Sequence, residues 1–489
     1  MVMTENAREA AAAAYVTDTD GNDAGGRENS AARVMGQTAP NQARPEPEGP
    51  ERFLAKVGVR PGQAFASKFA IHAGTSGRTL SGPEVRESYE RLLAAFNPGP
   101  MAVYLHLPFC LNRCLYCGFA GQNPDKDLVD RYVSALEAEM EHYGTVFPAK
   151  PGPVRAVYFG GGTPTVLEPG QLARLTEAVA RTFDLANDAE ITLEGRVSDL
   201  SRDRADGFLR AGFNRFSLGV QSFSTEVRKS LGRHSRGHEA ISFLNNLIRR
   251  QKAVVVIDLI YGLPGQSIPM FLADLETACQ IGVDGLDTYQ LNTFPGGALE
   301  RAVEGGRLPA PAPLAGQADY YLAAAGFMAD RKWRRLSLSH YARDTRERNI
   351  YNPWAKSRKD CLALGAGAGG FIDNHASYRL PEVRAYIEAA GKGLFAPDFL
   401  TLPSGGEALT GLIVSQLELG RLDLRSLPPF MGSDLSPVLL LAENWQEAGL
   451  LEQSGDCLEL TEAGRFWGVN LTQAMVVTAS EAMAKGQAV

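Results

Sequence analysis

The chain has 489 residues, 44% of them hydrophobic and 21% charged, with a formal net charge of −7. That balance belongs to a globular enzyme large enough for two or three domains, and a pI of about 5.7 excludes a general nucleic-acid or anionic-membrane partner. Six cysteines in so long a chain do not make a disulfide framework, and no apolar run reaches the length of a membrane span.

Residues 1–52 are rich in Ala, Gly, Asn, Asp, Pro and Glu and poor in large apolar side chains, which predicts a disordered extension. Glu5 and Glu9, with no basic stretch beside them, fit neither a signal nor a transit peptide, so the cytoplasm is the expected compartment. Residues 53–100 read as a helical lead-in, with a helix over Pro83–Phe96. From residue 101 short apolar runs alternate with amphipathic stretches of helical length. The predicted strands are Ala102–Leu107, Ala156–Phe159, Glu190–Glu194, Arg215–Gly219, Val254–Ile260 and Leu286–Asn292. The predicted helices between them are Lys126–Tyr143, Pro169–Phe183, Arg202–Ala211, Arg236–Arg250 and Ser267–Ile281.

Six strands alternating with helices predict parallel βα units, too few for a closed eight-stranded barrel. The fold class is therefore α/β, a partial (β/α)6 barrel over residues 101–300, with its chemistry at the C-terminal ends of the strands. Residues 301–404, which hold a further helix over 313–331 and the Gly-rich run Leu364–Phe371, are expected to extend the core and close the site. Residues 405–489, with helices Glu407–Leu419 and Ser436–Ala448 and a ribbon ending at Leu460, suggest a winged-helix-like α+β module. Few basic residues mark that module, so shaping a site suits it better than binding DNA.

Cys110, Cys114 and Cys117 share one loop directly after the first strand. Three thiolates can hold a [4Fe–4S] cluster while leaving one iron without a protein ligand, the position at which a small molecule can coordinate. A structural zinc would need a fourth ligand, and no second Cys-x2-Cys pair exists. Cys279, Cys361 and Cys457 are isolated and read as core cysteines. The run Gly160-Gly-Gly-Thr-Pro-Thr165 follows the second strand, where amides without Cβ atoms could bind a ligand at close range. Glu194 ends the third strand and could bind a ribose hydroxyl or an ammonium group. Gln221 ends the fourth, and Arg233 could clamp a carboxylate bidentately. Asp258 sits inside an apolar strand, where an acid is costly unless it faces a ligand or partner. His106 and His234 are the histidines nearest the site, and His340 and His375 are candidate proton donors.

The cysteine spacing and its flanks resemble the radical S-adenosylmethionine (SAM) superfamily. Together with the GGGTPT run, Leu218-Gly-Val-Gln-Ser-Phe223 and Asp258-Leu-Ile-Tyr-Gly-Leu-Pro-Gly-Gln266, they resemble its coproporphyrinogen-dehydrogenase-like (HemN-like) branch, from about residue 60 to 476. That resemblance implies a [4Fe–4S] cluster on Cys110, Cys114 and Cys117 and two SAM molecules. Tyr104, Gly161 and Glu194, with Phe371, would contact the SAM on the cluster. Tyr116, Gly162, Thr163, Gln221, Arg233, Asp258 and Asn292 would contact the second.

Within the branch, Phe65–Gly74, Cys117–Phe119, Tyr351–Ser357, Gly365–Gly370 and Phe466–Gln473 look like the anaerobic haem-degrading methyltransferases and their relatives, the class C radical SAM methyltransferases and cyclopropanases. The resemblance implies that a 5′-deoxyadenosyl radical from the first SAM takes hydrogen from the methyl of the second, and that the methylene radical adds to an sp² carbon of a conjugated small molecule. Departures at 120–122 and Asn374–Arg379 leave that acceptor open between haem and an indole- or pyrrole-type natural product. Two other outcomes stay open, oxidative decarboxylation of a porphyrinogen and a haem-binding chaperone. A flavodoxin- or ferredoxin-type electron donor and a monomeric enzyme are the expected partner and state.

Overall fold

The computed structural model describes residues 50–69, 77–118, 121–147, 150–233, 235–431 and 434–486. The expected disordered extension lies outside these residues, apart from its last few positions, and His234 lies outside them entirely.

The strands in chain order are β1 (Thr79–Ser81), β2 (Met101–Leu107), β3 (Val154–Gly161), β4 (Leu185–Arg196), β5 (Arg215–Gln221), β6 (Val254–Tyr261), β7 (Gly285–Gln290), β8 (Arg334–Arg335), β9 (His340–Ala342), β10 (Cys361–Leu364), β11 (Gly369–Ile372), β12 (His375–Tyr378) and β13 (Phe399–Thr401). They form one 13-stranded sheet in the order β1-β13-β12-β11-β10-β2-β3-β4-β5-β6-β7-β9-β8. Strands β2 to β7 run parallel in sequence order. Every residue of β2 and β5 is buried, as expected for parallel strands covered on both faces. This is the open barrel core of an α/β fold.

The covering helices lie where the amphipathic pattern puts them: Lys126–Val146, Pro169–Thr182, Arg202–Arg210, Gly237–Arg249 and Ile268–Ile281. Asp125, Ser201 and Ser267 accept hydrogen bonds from the first-turn amides of three of them, the capping that fixes their starts.

The sheet continues on both sides of the six predicted strands. On one side β10 pairs parallel with β2, and β11, β12, β13 and β1 add an antiparallel extension. On the other side β9 pairs antiparallel with β7. The Gly-rich run thus makes the β10–β11 connection. Gly365 has φ 98, and a Cβ there would lie 2.5 Å from the Tyr132 hydroxyl, so the glycine is required.

A second, three-stranded antiparallel sheet joins β14 (Arg421–Asp423), β15 (Leu451–Ser454) and β16 (Cys457–Leu460) in the order β14-β16-β15. With helices Glu407–Glu418 and Ser436–Glu447 it forms the winged-helix-like module, and helix Gly468–Gly486 packs across it. Residues 50–69 are stitched to this module. Trp467 Nε1 donates to Pro61 O (2.6 Å), and the Asn470 side chain accepts from Phe69 N and donates to Ser67 O. Trp445 and Trp467 are fully buried. Among the described residues no helix is long and apolar enough to cross a membrane.

Candidate functional site

The cysteine loop leaves the C-terminal end of β2. Cys114 is buried, and Cys110 and Cys117 are half-buried. Burial pushes the Cys110 thiol up, against the pull of Thr163 Oγ1 at 3.3 Å and the Arg196 guanidinium. Arg196 Nη2 reaches Cys110 Sγ at 3.5 Å while its Nη1 donates to Asn112 O at 2.7 Å. Arg196 lies two residues beyond Glu194, so both side chains share one face of β4; that spacing was the signal available in the sequence for a residue its reading missed.

The donor set fits a cluster better than a single ion. Among the described residues no three His, Cys, Asp or Glu groups converge as one ion would require. A four-iron cluster is larger and takes thiolates at separate corners. Gly121 packs directly on the first thiol, since a Cβ there would meet Cys110 Sγ at 2.6 Å. Cys361 is buried on β10, whereas Cys279 and Cys457 are half-buried rather than core residues.

The glycine run acts differently from the sequence rationale. Its amides are used inside the protein: Gly161 N donates to Glu194 Oε2 (3.2 Å), Gly162 N to Leu107 O (2.9 Å) and Thr163 N to Phe109 O (2.7 Å). A Cβ on Gly162 would lie 2.6 Å from Phe109 O. The glycines therefore let the second strand end clamp the cysteine loop, instead of offering free amides to a ligand. Glu194 is held at its other oxygen by the Tyr158 hydroxyl (2.7 Å). Tyr104 bonds His106 Nδ1 at 2.9 Å and stacks with Tyr158 and Tyr351. Phe371 sits on β11, two strands away from β2.

The strand ends beyond β4 present the remaining candidates. Gln221 has φ 70, the left-handed region that a non-glycine residue adopts at a cost of about 1–3 kcal/mol. Its buried Oε1 and the buried Nε of Arg233 have no partner among the described residues, so both keep hydrogen-bonding capacity for a ligand. Arg233 Nη2 donates to the Tyr116 hydroxyl (2.6 Å) and Nη1 to Gly219 O (3.2 Å). Burial pushes Tyr116 up, despite the guanidinium beside it. Asp258 lies in register with Gly219 on β5 and Asp287 on β7. Burial, Asp287 and Glu194 raise it to about 7.

A cavity of about 690 Å³ opens from this wall, large enough for a drug-sized ligand. Tyr116, Cys117, Gln221, Asp258 and Asn292 line its near side. Its far side is built by Lys68, by residues 352–359, and by Val414, Glu418 and Phe466. Phe65 meets Trp467 edge-on at 5.1 Å, and the Lys68 ammonium lies 3.9 Å over the Phe466 ring. The two segments singled out near either end of the sequence thus pack on each other. His340 lines the cavity, whereas His375 bonds Asp373 O in the β11–β12 turn and does not.

The fold and the three-thiol loop together define an iron–sulfur enzyme class that comparison with known proteins makes specific. The model of the radical SAM superfamily matches residues 104–278. Anaerobilin synthase of Escherichia coli O157:H7 is 40% identical over 78% of this chain and 84% of its own length. The heme chaperone HemW of Mycobacterium tuberculosis (strain H37Rv) is 33% identical over 76% of this chain and 93% of its own. The solved structure of coproporphyrinogen III oxidase (HemN) from Escherichia coli shares the fold, with a TM-score of 0.69 at 24% identity, covering 80% of this chain and 93% of that one. The chain belongs to the radical SAM superfamily, in its HemN-like branch, and its cofactors are a [4Fe–4S] cluster and SAM.

Proposed function

We propose that this radical SAM enzyme is a C-methyltransferase of the class C type, using two SAM molecules to transfer a SAM-derived one-carbon unit to an sp² carbon of a conjugated aromatic or heterocyclic small molecule. The observation that carries the reading is the continuity of the cavity from Cys117 and Tyr116 to the aromatic far wall at Phe466. The 40% identity with anaerobilin synthase supports it, and a haem-type tetrapyrrole or an indole- or pyrrole-type natural product is the acceptor class it names.

When bound, the cluster and SAM supply the one-electron chemistry. The chain supplies position and exclusion of water. Cys110, Cys114 and Cys117 hold the metal. Tyr104, Gly161 and Glu194, with Phe371, form the site for one SAM. Tyr116, Gly162, Thr163, Gln221, Arg233, Asp258 and Asn292 form the site for the other, with Asp258 and the Gln221 oxygen facing its cationic groups. Holding two cofactors and an acceptor in one cavity converts their encounter into an intramolecular one. The module at 405–489 and the lead-in at 53–69 close the cavity as its far wall.

A reduced, reconstituted enzyme given SAM with a deuterated methyl group should yield deuterium-containing 5′-deoxyadenosine by mass spectrometry. Unlabelled 5′-deoxyadenosine would instead favour the oxidative decarboxylase reading that the HemN fold suggests. Tight haem binding with no SAM turnover would favour the chaperone reading that the HemW likeness suggests.

A further inference from the structure

Three ionisable groups form one row across neighbouring strands at the cavity wall. Asp258 on β6 pairs with Asp287 on β7, and Asp287 with His340 on β9. Paired positions on adjacent strands point to the same face, with backbones about 4.8 Å apart. All three groups line the cavity.

The row continues inward as an alternating chain of charge. His340 Nδ1 lies 2.8 Å from Asp287 Oδ2, and its Nε2 lies 3.1 Å from Glu347 Oε1. Arg215 donates two hydrogen bonds of 3.0 Å to Glu347 and faces Glu190 at 3.9 Å. Gly285 gives this chain room, because a Cβ there would lie 3.0 Å from Glu347 Cγ and 3.3 Å from His340 Nε2. Burial alone would lower His340, but the Asp287 and Glu347 carboxylates raise it to about 9. His340 is therefore a buried cation, set 2.8 Å from the Asp287 carboxylate.

Asp258 ends the row beside that carboxylate. The other charged groups facing it are Glu194 from β4 and Arg215 from β5. Two carboxylates side by side in a buried wall do not both ionise cheaply.

We propose that Asp258 and Asp287 hold one proton between them, that His340 is the positioning residue keeping it on Asp258, and that the pair gives up this proton when a cationic onium ligand enters the cavity. The inference deepens the functional reading, since it rests on SAM, a sulfonium cation, being the ligand that enters. The exchange balances: one positive charge arrives on the ligand, one proton leaves to solvent, and no ligand bond breaks.

The test titrates the full, cluster-loaded chain with SAM by calorimetry from pH 6 to 8.5, in two buffers of different ionisation enthalpy. One SAM equivalent should release a proton below pH 7, and its affinity should fall about tenfold per pH unit there. Asp287→Asn should move the midpoint of that dependence down, and His340→Gln should move it up. SAM binding without proton release at pH 6.5, or one midpoint shared by all three proteins, would overturn the proposal. Infrared spectra of the ligand-free chain separate its fate from that of the functional reading. A protonated carboxyl band at pH 6.5 that Asp258→Asn removes supports the shared proton even where SAM does not bind, and its absence in the unsubstituted protein sinks the proposal whatever SAM does.

Discussion

The two walls of the cavity are built in opposite ways. The near wall comes from one contiguous alternation of strands and helices: Cys117 after β2 and Gln221 on β5 line the cavity, and the motifs Cys110 to Cys114, Gly160 to Thr165, and Glu194 and Arg196 belong to the neighbouring strand ends. The far wall joins segments about 400 residues apart, Phe65 to Phe69 against Phe466 to Asn470, and Asn352 to Lys359 line the same cavity. The near wall is specified locally and carries the residues proposed to hold the cofactors. The far wall exists only once the C-terminal module has docked, and in the proposed reading it faces the acceptor. Changes in the near wall should therefore remove the chemistry, whereas changes in the far wall should alter fit and order while leaving the cluster in place.

The sharpest break is Cys114→Ala. It should lose the cluster, seen as loss of iron and of the visible absorbance, and with it all SAM cleavage. Retained iron at the unsubstituted level would break the assignment of the near wall.

Next in size is Arg215→Met at the barrel floor. It leaves Glu190 buried without its cation and Glu347 with His340 alone, which should cost about 3–5 kcal/mol, read as a lower denaturant midpoint. Trp467→Ala removes a fully buried ring and the bond to Pro61, a local cost of about 3–5 kcal/mol. Limited proteolysis should then cut within 50–69 while iron content stays unchanged. Asn470→Ala should do the same more weakly, by about 1–3 kcal/mol, since it leaves the Phe69 amide and the Ser67 carbonyl without their side-chain partner.

Two pH dependences of opposite sign complete the comparison. His340 is raised from 6.5 to about 9, so the stability it contributes is complete below pH 6.5 and is lost as the pH rises through 9. Lys68 is half-buried as a residue, but its ammonium end is enclosed beside Gln290 and Phe466, and burial lowers it from 10.5 to about 7. The unfolded chain holds that proton more tightly, so stability rises with pH between 7 and 10.5. Subtracting the melting profile of Lys68→Met from that of the unsubstituted protein should leave a curve rising from pH 7 to 9. The same subtraction with His340→Gln should leave a falling one.

Much of the near wall was legible because parallel strands covered on both faces read as apolar runs, and because a ligand loop must keep its spacing. The six predicted strands lie where the apolar runs put them, β6 and β7 among them. Strand β10 was hidden because it is a four-residue apolar stretch ending where the Gly-rich run begins, too short to stand out until it pairs with β2. The amides of the glycine run looked available to a ligand, since a sequence shows a donor but not its acceptor, here Leu107 O, Phe109 O and Glu194. His340 stood out only as a titratable residue. Its alternating chain to Asp287, Glu347 and Arg215 joins four positions of three strands and a loop.

By itself the sequence determined the parallel alternation, the three-thiol loop and the family those motifs define, because each is fixed by local periodicity or ligand spacing. Only the tertiary structure decided where the amide hydrogen bonds go, which buried charges balance one another, and that residues 50–69 meet the C-terminal module to finish the cavity. Those outcomes depend on contacts between positions far apart in the chain, and no local pattern encodes such a contact.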